Sequence, residues 1–418
     1  MKILIQIITA LLILFLVSAC NNGELQQPIY EYATSSPADT GARYPYLQKD
    51  AQGKIYMSWI LGIEEEMHAL QYSTYDNERW TRPQSVKVGA DFFINWADFP
   101  SVVGFDGDVT AAHWLKKVEG GPYAYNVQVA FPEEEGLRWR DAITPHLDDT
   151  ATEHGFVTIK PISDDRVLAI WLDGRDTEGR ANDEYEDMSK SMTLRSAEIT
   201  RDGEITRSRE IDDAVCDCCQ TDLVQTENGF LAVYRNRTDD EIRDIYISRY
   251  DLEDGVWSEP MAVYDDGWQI GACPVNGPKA VADGDRVAVA WFTMEDNESR
   301  TMLIRSSNGG QTFTDPIEIA GDRSMGRVDL EMIGDGTIYV SWMRHRGEVG
   351  DVMLTEVTPN GEPKDSVLVG VTSPSRSSGF PQMITTDDGL LFAWTQTQPV
   401  YRVRTAIVPF ESMQEAQL

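Results

Sequence analysis

Basic residues are scarce in this chain: 36 lysines and arginines stand against 69 aspartates and glutamates over 418 residues, a formal net charge of −33. Such a field repels nucleic acid and anionic lipid, which argues against both as partners, and an acidic ligand would need a local cluster of arginines. Cysteine is scarce too. Of five, Cys20 ends an N-terminal apolar run, and the other four are Cys216, Cys218, Cys219 and Cys273. After that first run no stretch is long and apolar enough for a membrane-spanning helix. Helical periodicity is missing as well, which leaves short β-rich runs as the building material.

The N-terminus carries one positive charge, Lys2, and then an apolar run from Ile3 to Val17, the pattern of a secretory leader. Its end, Val17-Ser18-Ala19-Cys20, resembles the lipobox of bacterial lipoproteins. The resemblance implies a cleaved signal peptide over residues 1–19 and a lipid on Cys20. Asn21 and Asn22 in place of an aspartate imply sorting to the outer membrane of a Gram-negative cell envelope. Residues 20–40 then form a tether, and membrane contact is through the anchor alone.

One unit recurs: an apolar strand, an Asp/Gly turn, and a second strand ending in an aromatic residue. Turns at Asp50 to Gly53, Asp106 to Asp108, Ser163 to Asp165, Glu227 to Gly229, Asp283 to Asp285, Gly334 to Gly336 and Asp387 to Gly389 precede Trp59, Trp114, Trp171, Tyr234, Trp291, Trp342 and Trp394. Successive aromatics lie 51 to 63 residues apart, a period that suits a four-stranded propeller blade. The expected fold is therefore all-β: a β-propeller of seven four-stranded blades over residues 41–410, with six blades as the alternative and 411–418 as a tail. The seventh unit lacks an outer strand, and Ile29 to Tyr32 is expected to supply it, closing the ring and hiding both edges.

Ser306-Ser307-Asn308-Gly309-Gly310-Gln311-Thr312-Phe313 resembles the Asp-box of sialidases and other BNR-repeat propellers, with Asn and Phe substituted. It falls between third and fourth strands, where it would stabilise a hairpin. Arg43-Tyr44-Pro45 looks like the Arg-Ile-Pro motif of sialidases. That likeness implies that Arg43 binds a substrate carboxylate and makes Tyr401 the positional candidate for a tyrosine nucleophile. The departures are that Glu64, Glu65 and Glu66 stand where an acid/base aspartate is expected, and that no motif assigns the nucleophile's glutamate partner.

In a propeller, the segments before each inner strand and the loops joining second to third strands share one face. On this chain they bring Arg43, Asp98, His154, Arg175, Arg235, Arg243 and Arg346 to the same channel mouth as the cysteines. Converging guanidinium forks suit a carboxylate; pairing with the chain's own carboxylates is the competing expectation for each arginine. Cys216, Cys218 and Cys219 are too close for more than one to bond Cys273. The remaining two are then free, bridged to each other, or ligands with His154, and with His146 and Asp148, for a soft or borderline ion such as copper or zinc.

These observations lead to a cell-envelope propeller that binds a carbohydrate or small carboxylate ligand at an arginine-lined mouth, with exo-sialidase-type hydrolysis as the further expectation. The alternative is a copper- or zinc-binding, or thiol-redox, lipoprotein built on the cysteines.

Overall fold

The computed structural model describes residues 33–76, 78–133, 138–180 and 190–415. The leader, Cys20 and Ile29 to Tyr32 lie outside them. Seven antiparallel sheets follow one another along the chain. Their inner strands are Ala42–Lys49 (blade I), Ser101–Phe105 (II), His154–Ser163 (III), Asp222–Thr226 (IV), Lys279–Asp283 (V), Asp329–Met332 (VI) and Gln382–Thr385 (VII). Each packs against the next, and the last packs against the first, so the ring is closed.

Blade II has three strands, with Ile143 bridging Val129 where a fourth would begin. Blade VII gains its outer strand from the N-terminal side, as the repeat required. The pairing segment is Ala33–Thr34, in register with Ala406 and Thr405 of Arg402–Pro409. Apart from short 3-10 turns, the helix among the described residues is Phe410–Glu415, after the last strand.

The recurring aromatics explain the ring. Second strands such as Gly229–Arg235 are buried along their whole length, because a blade presents an apolar surface to a neighbour on each side. Seven apolar clusters fill the seven seams, and each unit's terminal aromatic lies in the seam shared with the preceding blade: Trp59 among residues of blade VII, Trp114 of I, Trp171 of II, Tyr234 of III, Trp291 of IV, Trp342 of V and Trp394 of VI. Their polar tips find acceptors, as when Trp59 Nε1 donates to Gln71 Oε1 at 3.2 Å and Trp171 Nε1 donates to Asp173 Oδ2 at 2.8 Å. A ring this large and rigid anchors its loops on packed strands.

The segment resembling an Asp-box is a hairpin device here. Asn308 Oδ1 accepts from Ser306 Oγ and from the Thr312 N–H, while Ser306 Oγ accepts from the Gly310 N–H. Gly309 and Gly310 both adopt positive φ, and Phe313 packs into the seam between blades IV and V.

Aromatic side chains meet at the upper end of the channel. Trp96 stacks on Phe380 with centroids 5.6 Å apart, and Phe99 leans on the same ring. Buried Gln220 spans the ring beside them, donating to the Ala97 carbonyl and accepting from the Gly277 N–H, both at 2.8 Å. Replacing Gln220 by Ala strands two buried backbone groups and is expected to cost about 2–4 kcal/mol in a denaturant titration. An unchanged midpoint would show that the amide does not tie the blades together.

Candidate functional site

Strand pairing puts the segments before the inner strands beside the ends of the second strands. His154 pairs with Asp173 and Ala42 with Leu61, while the Cys216 N–H donates to the Arg235 carbonyl. The expected face therefore exists. The opposite mouth holds a cavity of about 500 Å³ in which Lys49, Lys160 and Lys279 meet Asp50, Asp222, Asp283, Asp329 and Glu331. With carboxylates in excess, that mouth suits an anion poorly.

Most of the arginines on the upper face hold the protein together. Arg175 grips Asp173 through Nε at 2.7 Å and Nη2 at 2.8 Å and also touches Asp148. Arg346 and Arg344 both pair with Asp351, a carboxylate held below its usual range by those guanidinia despite burial. Arg243 shares Glu241 with Arg237. Arg235 is fully buried and donates to the carbonyls of Asn276, Arg243 and Phe292, with its guanidinium over Trp268. Arg175, Arg235, Arg243 and Arg346, expected to bind a ligand, thus each have internal partners in this structure.

Asp98 has an internal partner too. It is buried, and its Oδ2 accepts the Phe156 N–H at 2.6 Å. Phe156 has φ +51°, in the left-handed region that non-glycine residues avoid. Tyr44 and Arg327 share this conformation, and their N–H groups donate to Thr395 Oγ1 and Asn276 Oδ1. In all three, a side chain from the preceding blade pins a strained residue at the head of an inner strand. Nothing in the sequence marks these positions, since none is glycine.

Arg43 differs. Half-buried, its Nη2 lies 3.3 Å from His68 Nε2, and its guanidinium sits 5.1 Å from the Tyr401 ring centroid and 5.6 Å from that of Tyr44. No carboxylate pairs with it among the described residues. His68 is held below its usual pKa by burial and, beyond that, by the positive charges of Arg43 and Lys117. Two cations, Arg43 and Lys117, therefore lie near His68 on a strongly acidic chain. Arg376, exposed, stands over Trp96 at 5.8 Å on the rim nearby.

Tyr401 is partly exposed beside Arg43, as the likeness implied, but no carboxylate hydrogen-bonds its hydroxyl among the described residues. Tyrosine–glutamate pairs lie elsewhere: Tyr250 donates to Glu198 Oε1 at 2.7 Å, and Tyr125 donates to Glu153 Oε1 while stacked on Phe93 at 3.9 Å. Tyr125 is fully buried, and its phenol is pushed well above the usual range by burial and by the carboxylates of Glu153 and Asp98. A phenol so placed is a poor nucleophile.

The four cysteines form two disulfides, Cys216–Cys219 and Cys218–Cys273, with Cα separations of 5.7 and 6.0 Å. The second staples the face loops of blades IV and V, which the repeat had made neighbours. Paired sulfurs are not thiolate ligands, so the metal site expected from Cys216, Cys218, Cys219 and Cys273 is not formed in this structure. Peptide mapping without reductant should find both bridges and no free thiol; two alkylated cysteines would contradict it.

His154 joins a different group. It stacks on His146 with ring centroids 3.8 Å apart and planes within 4°. Asp148 Oδ2 lies 3.2 Å from His146 Nδ1 and 3.2 Å from His154 Nε2. Burial, with His154 adding to it, lowers the His146 pKa to about 4, so that ring is neutral at physiological pH.

No protein-family model and no curated protein matches this sequence. Solved structures do resemble it. An ulvan lyase bound to -[GlcA(1-4)Rha3S]- superposes with a TM-score of 0.56 at 12% identity, covering 92% of this chain and all of that one. The NanB sialidase of Streptococcus pneumoniae gives 0.43 at 10% identity over 92% of this chain and 71% of that one. A protein of unknown function from Dyadobacter fermentans gives 0.46 at 10% identity over 88% and 95%. The fold is a seven-bladed propeller. At these identities the likeness reaches no further than that.

Burial raises the pKa of Asp98 and of Asp329 to about 7. An unfolded aspartate titrates at about 3.9, so the folded chain binds more protons between these values, and the associated stability is complete below about pH 4 and lost as pH rises through 7. The thermal midpoint is expected to fall from about pH 5.5 to about 8.5, with a smaller fall in Asp329→Asn. A profile identical in the variant would contradict this.

Proposed function

We propose that the protein is a lipid-anchored propeller of the bacterial cell envelope that binds a carboxylate-bearing carbohydrate on the upper rim of blades I, II and VII. The observation that carries this reading is Arg43: it projects among Tyr44, Tyr401 and His68 with no carboxylate partner among the described residues. A guanidinium in that state presents a planar donor fork that matches a carboxylate. The partly exposed ring of Tyr401 beside it offers an apolar face to a sugar, and Lys117 adds charge of the same sign. The ulvan lyase shows that a propeller of this architecture can hold a glucuronate-containing saccharide.

We infer binding rather than turnover. A tyrosine nucleophile needs a base, and Tyr401 has no glutamate against its hydroxyl among the described residues. The leader motif supports the envelope location, since Cys20 would tether the ring and leave its faces open to soluble or surface saccharides.

Calorimetric titration with a short oligoglucuronate tests the proposal. Wild-type protein should bind, and Arg43→Ala should bind at least tenfold more weakly, a loss of about 1.4 kcal/mol. Carboxyl-reduced oligosaccharide should bind no better to wild type than the uronate does to the variant. Equal affinities of wild type and Arg43→Ala would refute it.

A further inference from the structure

The stacked histidines pose a problem that hydrogen bonding leaves unsolved. His154 is fully buried, and neither of its ring nitrogens has a hydrogen-bond partner. His146 Nε2 is buried without one as well. Stranded polar atoms are costly, and His154 Nε2, the one that faces the neighbouring carboxylates, calls for a ligand or another physical cause. His154 Nε2 faces Asp148 Oδ2 at 3.2 Å and Asp173 Oδ1 at 3.7 Å, yet it is not aligned for a hydrogen bond to either. Buried beside two carboxylates and hydrogen-bonded to neither, that nitrogen is open to a ligand.

We propose that His146, Asp148 and His154 form a binding site for a divalent cation of the zinc type, on the upper rim between blades II and III, with no sulfur ligand. Their ligand atoms lie within 4.8 Å of one another. For metal–ligand bonds of about 2.0–2.1 Å, the edge of a tetrahedron is roughly 3.3 Å. The two 3.2 Å separations from Asp148 Oδ2 to His146 Nδ1 and to His154 Nε2 match that edge, and the two rings, stacked with centroids 3.8 Å apart, have to splay for both in-plane lone pairs to meet one ion.

The surroundings orient the three ligands. Asp148 Oδ1 accepts from the Thr150 N–H at 3.1 Å and from Thr150 Oγ1 at 2.6 Å, which leaves Oδ2 for an ion. Hydrogen bonds of this kind fix the orientation of ligating carboxylates. Asp173 is held by Trp171 and Arg175 and stays outside the ligand set. Arg175 also reaches Asp148 Oδ2 at 3.3 Å, a longer contact than those it makes with Asp173. An entering ion replaces that contact and the hydrogen bond between His146 Nδ1 and Asp148 Oδ2, while Arg175 keeps its grip on Asp173. Two carboxylates against one guanidinium leave net negative charge for a dication. Two imidazoles and one carboxylate select zinc over calcium or magnesium, which take oxygen ligands, and three protein ligands leave a fourth position for water.

Tag-free protein, stripped with chelator and kept without reductant, is titrated with zinc chloride by calorimetry and by thermal melting. One equivalent should bind and raise the melting midpoint. His154→Ala and Asp148→Asn should lose about 100-fold in affinity, while Thr150→Ala, which keeps all three ligands, should lose about tenfold. Cys218→Ser/Cys273→Ser should bind zinc as wild type does. The proposal is overturned if wild-type protein takes up no zinc, if uptake is unchanged in both His154→Ala and Thr150→Ala, or if uptake requires reduced cysteines.

Discussion

A blade with an apolar surface on each side can be stable only when both are covered, and a closed ring covers every blade at once. The rest of the molecule depends on this constraint. Each second strand ends in an aromatic that enters the seam with the preceding blade, so each unit is anchored by its own sequence to the neighbour before it. The join between blades VII and I is treated like every other seam, with Trp59 packed among residues of blade VII and Ala33–Thr34 pairing onto the last strand. Ala33–Thr34 is thereby the outer strand of blade VII and covers part of the edge of Arg402–Pro409.

The same neighbour-to-neighbour logic reaches the upper face. Thr395, Asp98 and Asn276 each reach one blade forward to hold a left-handed residue, and Gln220 reaches to both sides. Arginines serve a parallel purpose. On a chain so rich in carboxylates, a guanidinium near a strand end finds an internal partner, and the pairs of Arg175 with Asp173, Arg243 with Glu241 and Arg346 with Asp351 brace the loops that form the rim. Against that background an arginine flanked by rings and a histidine stands out. Functional interest therefore falls on Arg43 and on the nitrogens that bracing does not satisfy, those of His146 and His154.

Much of the fold was legible because aromatic-ended repeats and Asp/Gly turns are local signals. Those signals also placed the cysteines on neighbouring loops. The closing strand was expected at Ile29 to Tyr32; the described pairing uses Ala33–Thr34, since a short edge strand carries little pattern to set its register. The site was less legible. Asp351 is paired with Arg346 only once the hairpin between them has formed, and Arg235 is neutralised by carbonyl dipoles from three separate segments. Which cysteines bond depends on loop paths that spacing does not encode. The left-handed residues at Tyr44, Phe156 and Arg327 were invisible for the same reason: the side chain that makes each conformation tolerable lies some 50 or more residues away, in another blade.

The claim that binding occupies the upper rim beside Arg43 is tested most directly by hydrogen-exchange mass spectrometry with and without saturating oligoglucuronate. The account predicts protection confined to the segments around Arg43, His68, Trp96, Lys117, Arg376 and Tyr401. Protection centred instead on the opposite mouth, around Lys49, Lys160 and Asp283, would contradict it.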